Sequence, residues 1–207
     1  MGQRLNIEII KDGKTIANCY YHWSAYTLCS LNTANKVIEY YDELMNQNLP
    51  DEVLAVKMFE NCNSFDFFTG GVNTAGLTKD SYEYMCKKYP QYTFKESVDR
   101  NAGLIGVTLE DMTNTRNWQE GIINIDLDKK IINAGSMIDY YEAENFMEEW
   151  IDEDEEFNYE DLPDFPHDDL NEIPFDEINE VINEIESCNS YRFKSKKYNN
   201  EVILLIE

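Results

Sequence analysis

Between Lys130 and Arg192 the chain contains no lysine or arginine. An anionic element with no cation repels phosphates, so this third of the protein is disfavoured as a nucleic-acid or acidic-lipid binding surface. No stretch of about 18 consecutive apolar residues occurs, which excludes a helical membrane span. No Cys-x-x-Cys pair is present either, so zinc knuckles and dithiol redox motifs are excluded. The five cysteines, Cys19, Cys29, Cys62, Cys86 and Cys188, are odd in number and irregularly spaced. They read as free, mostly buried thiols of an intracellular protein, with the cytoplasm as the expected location. With two histidines, His22 and His167, the chain is also poor in groups that exchange protons near neutral pH.

What replaces the missing cations is carboxylate. The formal charge is -24 over 207 residues. Residues 1–130 hold 18 acids and 13 bases, residues 131–191 hold 21 acids and no base, and residues 192–207 hold 2 acids and 4 bases. Nearly all the excess therefore lies in one continuous segment, whose self-repulsion a compact fold must tolerate or hand to a partner. Hydrophobic residues still make up 43% of the chain, enough for a substantial core.

The remaining pattern predicts an α+β fold. Residues 3–10, QRLNIEII, alternate polar and apolar side chains; KDGK supplies an Asp-Gly turn and TIANCYYHW resumes the alternation to Trp23, which is a hairpin signal. From Ser24 to Gln47, Ala34, Val37, Ile38, Tyr41, Leu44 and Met45 recur at helical spacing. Pro50 opens a second helix bearing Val53, Leu54, Val56, Met58 and Phe59, and Thr78 to Tyr89 reads as a third, stopped by Pro90. The intervening NSFDFFTGGVNTAGLT reads as a loop. AGLIGVTLEDM, GIINIDLD and KKIINAG have the β-branched content of strands, with a turn at Asp128 and Lys129.

Within the acidic third, Tyr140, Ala143, Met147 and Trp150 share one helical face, and Ile178, Val181, Ile182 and Ile185 share another; Pro163, Pro166 and Pro174 interrupt the segment between. YRFKSKKYNNEVILLIE reads as two strands about an Asn-Asn turn. The expected organisation is an α+β core at residues 1–135, an antiparallel sheet with N-terminal and C-terminal hairpins packed with helices. An acidic, aromatic-rich helical extension spans 136–190, and a hairpin at 191–207 rejoins the core.

Disordered acidic tracts are poor in aromatics, whereas Tyr140, Tyr141, Phe146, Trp150, Phe157, Tyr159, Phe165 and Phe175 stud this one, so the rings are expected to anchor it. The 21 charges on residues 131–191, if helical, amount to one per about 4 to 5 Å of axis. One strand of DNA carries a phosphate per about 3.4 Å. Glu148, Glu149, Asp152, Glu153, Asp154, Glu155, Glu156, Glu160 and Asp161 are the candidate phosphate surrogates, with Trp150 and Tyr159 as packing contacts. The expected partner is a basic nucleic-acid-binding protein. No direct nucleic-acid or membrane contact is expected.

This combination of small size, extreme acidity and carboxylates on ordered elements resembles the nucleic-acid-mimicking inhibitors that bacteriophages make against restriction enzymes and CRISPR nucleases. MGQRLNIEII, and DRNAGLIGVTLEDM followed by WQEGIINIDLD, are also similar to a group of uncharacterised phage proteins. The resemblance implies a phage or prophage origin and transfers no site residues.

Other chemistries fit less well. An EF-hand counted from Asp152 would place Phe157 at position 6 and Pro163 at position 12, where glycine and glutamate are required. Carboxylate pairs adjacent by chance are expected among 41 acids, and only His167 accompanies them, so no catalytic residue, cofactor or metal is assigned. His22 and Ser24 would project from one side of a strand as base and hydroxyl, although Ser24 more simply caps a helix. The Gly70–Gly76 loop lacks the Gly-Lys-Ser/Thr ending of a phosphate-binding loop. That loop and the His22 region define the alternative reading, a nucleotide-binding protein: a second-messenger sponge or small enzyme.

Overall fold

The computed structural model describes residues 4–22, 27–65, 72–97, 103–116, 121–136, 170–187, 192–194 and 201–203. The predicted hairpin forms from β1 (Leu5–Lys11) and β2 (Lys14–Tyr21), paired antiparallel. Asp12 and Gly13 both take positive φ, 50° and 68°. That is the backbone a two-residue turn needs to match the twist of its strands.

β3 (Asn63–Phe65) and β4 (Val72–Thr74) pair with each other, β5 (Gly76–Leu77) and β6 (Leu104–Gly106) are short, and β7 (Gly121–Asp126) and β8 (Ile131–Ser136) follow. β3 and β4 stand apart as a two-stranded ladder, and the others join the hairpin and β9 (Leu170–Pro174) in a seven-stranded sheet in the order β5-β6-β2-β1-β7-β8-β9. The sheet is mixed rather than antiparallel throughout, because β1 pairs with β7 and β5 with β6 in parallel. Alternation along a strand sets which face is buried and leaves the direction of its neighbour open. β10 (Arg192–Lys194) and β11 (Glu201–Ile203) pair antiparallel in a separate two-stranded ladder.

One face of the large sheet is apolar. The register aligns Leu77, Ile105, Cys19, Ile7, Ile123 and Ala134 in a row across six strands. A second row runs Ala17, Ile9, Ile125, Ile132 and Ile173, and every member of it is fully buried. Each leucine or isoleucine of these rows contributes about 1.5–3 kcal/mol on burial. The face is covered by α1 (Thr27–Glu39), α3 (Asp51–Asn61) and, through α1, α6 (Ile178–Glu186). Ile178, Val181, Ile182 and Ile185 are all buried, as their spacing predicts.

The long helix expected to run to Gln47 breaks at Tyr40, and α2 (Tyr41–Met45) begins as a separate turn. Tyr41 and Leu44 are buried, whereas Met45 is 46% exposed, because the break rotates it off the packed stripe. α4 (Lys79–Lys88) packs beside β5; its Thr78 cap accepts the Ser81 N–H at 3.3 Å.

Two further expectations are corrected. The NSFDFFTGGVNTAGLT stretch supplies β3, β4 and β5 instead of a plain loop, and AGLIGVTLEDM is a strand only to Gly106. From Leu109 to Arg116 it is helix, α5, with the Thr108 hydroxyl accepting the Asp111 N–H at 3.2 Å. The opposite face of the sheet carries α5, since Asn18, out of phase with the core positions of β2, donates to Met112 O at 3.1 Å and Thr115 Oγ1 at 2.7 Å. Among the described residues no helix is long and apolar enough to cross a membrane.

Candidate functional site

All eleven predicted partner-binding residues, Glu148 to Asp161 with Trp150 and Tyr159, lie outside the described residues. So do the first acidic helix, Ser24, Gly70, Gly71, His167 and Cys188. What the structure does place is the end of the acidic third. There β9 pairs with β8, Phe175 packs edge-on against Tyr41 with ring centroids 5.6 Å apart, and α6 lies along α1. Phe175 thus anchors this part of the segment to the core; the other seven rings expected to do so lie outside the described residues. With the isoleucine stripe buried beneath, Glu180 and Glu186 are held outward and Glu184 is half-exposed. The ion pairs Lys11–Asp128, Lys57–Glu60, Lys88–Glu52, Arg116–Glu8, Lys129–Asp126 and Lys130–Asp42 all form within the first 130 residues.

The His22 region is a polar patch on the α5 side of the hairpin. His22 Nδ1 and the Tyr20 hydroxyl are 2.8 Å apart. Beside them the buried Glu8 carboxylate pairs with Arg116 and accepts from Asn6 Nδ2 at 3.2 Å and the Thr15 hydroxyl at 3.0 Å. Arg116 also donates to Thr15 Oγ1 at 3.1 Å. This closed network fastens α5 to the hairpin and leaves the Glu8 carboxylate engaged on both oxygens, a structural arrangement more than a reactive one. Gly76, the other end of the proposed nucleotide loop, sits in β5, where a Cβ would lie 2.8 Å from the Ser97 nitrogen. Its missing side chain is explained by close strand packing.

Two of the thiols, Cys19 and Cys62, are unsuited to nucleophilic work. Cys19 and Cys62 are buried with the Tyr21 phenol, and burial pushes Cys19 well up and Cys62 to about 11. A neutral thiol is a weak nucleophile. Burial, followed by the neighbouring thiols, likewise holds the Tyr21 hydroxyl well above its usual range. Among the described residues no group of three or more His, Cys, Asp or Glu side chains is placed to hold a metal ion.

A cleft of about 770 Å³ opens where α1 and α2, the β7–β8 turn and the Pro174–Asn179 stretch meet. Its volume falls within the range of sites that receive small molecules or single side chains. Tyr41 and Phe175 form an aromatic wall, and Asn35 Nδ2 donates to Asn179 Oδ1 at 2.8 Å across one side. Lys130 Nζ lies 5.3 Å from the Tyr41 ring centroid and 3.6 Å from Asp42 Oδ1. Its carbonyl receives the Phe175 N–H at 3.0 Å, which fixes the turn against the acidic segment. Sequence reasoning assigned Tyr41 to a helix stripe and Lys129 to a turn; that they share a cleft with Phe175 depends on contacts between distant parts of the chain, Phe175 with Lys130, Lys130 with Tyr41 and Tyr41 with Phe175.

No protein-family model, no curated protein and no solved structure matches this chain. The functional reading therefore rests on the residues themselves.

Proposed function

We propose that this chain is a phage counter-defence protein that inhibits a host nucleic-acid-binding enzyme, a CRISPR or restriction nuclease, by occupying its cationic channel with a nucleic-acid-mimicking acidic surface. The observation that carries the reading is the block of 21 acids without one base in residues 131–191. A channel that grips DNA by releasing counterions would grip such a surface by the same physics. The phage origin rests on the resemblance stated above.

Supporting the reading, the end of the acidic block is fastened to a packed core instead of trailing from it. β9 and α6 give its carboxylates fixed positions, and a fixed array loses less conformational freedom on binding than a loose one. Glu180 and Glu184, one helical turn apart, are separated by about 6 Å of axis. Glu148 to Asp161 would supply the denser part of the mimic.

The test is a cleavage assay with purified CRISPR effectors and restriction nucleases, titrated with the chain. Inhibition that competes with DNA and fades as salt rises from 50 to about 200 mM supports the proposal. A variant with six of the nine carboxylates between Glu148 and Asp161 converted to amides is expected to inhibit at least about tenfold less, with a shallower salt dependence. Equal inhibition by variant and parent, or none by either in dilute buffer, overturns it.

A further inference from the structure

The cleft beside Tyr41 has a charge pattern that selects its occupant. Lys129 lies 3.6 Å from Asp126 and Lys130 3.6 Å from Asp42, so both ammonium groups are engaged. Glu39 and Asp176, also on the lining, are exposed and have no ion pair among the described residues. Three carboxylates, Glu39, Asp42 and Asp176, thus face two paired lysines, and an anion such as a phosphate meets net repulsion here.

A cation meets the reverse, and the cleft already holds one in the fitting geometry. Lys130 sits over the face of Tyr41 with Asp42 alongside. The pair is loose: the lysine side chain is 58% exposed and the aspartate 87%. An ion pair so exposed contributes little and yields readily to a better cation.

We infer that this cleft receives an arginine side chain of a protein partner. A guanidinium is planar, so it stacks flat on an aromatic face and grips a carboxylate with two parallel N–H donors, a geometry that an ammonium cannot match. Phe175, half-buried, supplies the accessible ring and Tyr41 the face beneath Lys130, with Asp176 and Glu39 as the carboxylates and the Asn35–Asn179 amides as further acceptors. The volume of about 770 Å³ also leaves room for the backbone on either side of the arginine. Asp176 lies in the turn that leads into α6 and Asn179 in the first turn of that helix, so the cleft is continuous with its outward carboxylates. The inference rests on the proposed cationic partner and deepens it, giving the diffuse attraction of the acidic segment one stereospecific anchor.

The test titrates N-acetyl-arginine methylamide into the isotopically labelled full chain, with the citrulline analogue, isosteric but uncharged, as the control. Saturable shifts of the Phe175, Asp176 and Asn179 backbone resonances with arginine and not with citrulline are expected. The double variant Glu39→Gln, Asp176→Asn should weaken the arginine probe about fivefold or more, and Lys130→Ala, which removes the internal competitor, should tighten it about two- to fivefold. Lys87→Ala on α4 changes the net charge equally and should leave affinity near that of the parent. No saturable shift at those three residues, or equal behaviour of the Lys130 and Lys87 variants, overturns the inference. Because the probe is a single residue, its outcome is separable from that of nuclease inhibition: failure here leaves the acidic mimic standing, and failure there leaves the guanidinium pocket standing.

Discussion

Asp128 holds Lys11 across 117 residues of sequence: one carboxylate oxygen takes the Lys11 ammonium, and the other takes the Asp12 N–H at 2.5 Å. The β7–β8 turn is thereby bound to the β1–β2 turn at the end of the parallel pair. Parallel strands have no hairpin of their own to set their register. The ladder and its buried isoleucines set that register, and this contact ties the two turns together at its end.

The same contact makes stability depend on pH in a definite direction. The hydrogen bond from Lys11, then that from the Asp12 N–H, lowers the Asp128 pKa below its usual 3.8. A carboxylate whose folded pKa is depressed contributes stability above the unfolded value and loses it as pH falls through the folded one. Asp128→Asn should lower the melting temperature at pH 7, and the gap to the parent protein should close as pH is taken below about 3.8. Thermal unfolding at both pH values measures it; a gap that persists unchanged in acid contradicts the assignment.

Two glycines separate steric crowding from backbone strain. At Gly76 a Cβ would meet Ser97 N at 2.8 Å and Ser97 Cα at 2.9 Å, and neither backbone atom can swing aside. At Gly13 there is open space within 4 Å, but φ is +68°. Gly76→Ala should therefore destabilise by about 1–3 kcal/mol through overpacking, and Gly13→Ala by about 1–2 kcal/mol through the left-handed backbone alone. Gly13→Asn, which tolerates that conformation, should recover most of the loss, whereas no side chain rescues Gly76. Urea unfolding of the four proteins distinguishes the two mechanisms, and a neutral Gly76→Ala would dispose of the packing argument.

These positions also mark what could be read from the sequence. The Asp12-Gly13 turn, the stripe of α3 and the isoleucines of α6 were legible because each is set by neighbours within one or two turns of chain. A signal for α5 was present as well: Thr108 and Asp111 stand three residues apart, the N-cap spacing, but the β-branched run before them was extended through it. The break at Tyr40 and the direction of β7 were not legible, since both are decided by packing against distant segments. The cleft belongs to the second kind. Tyr41, Lys130 and Phe175 come from three separate elements, and no local pattern announces their meeting. The acidic block is legible only as composition, which sets the sign of its partner and not the geometry of the contact.

The buried thiol Cys62 sets an alkaline limit on the fold. Its pKa is pushed from 9.0 to about 11 by burial first, against smaller lowering contributions from Tyr21 and Lys36. An acid whose folded pKa is raised contributes its full stability below the unfolded value, because both states then hold the proton. As pH rises past 9.0 the unfolded chain releases the proton that the folded chain keeps, so stability falls until about pH 11. Cys19 and Tyr21, both fully buried and both raised by desolvation, act in the same direction, so the decline should be steeper than one proton explains. Unfolding free energies from urea titrations at pH 8, 9 and 10 should fall progressively, and the double variant Cys19→Ala, Cys62→Ala should be less stable at pH 8 yet show a flatter decline. A parallel decline in parent and variant would mean that the thiols are not the groups being titrated.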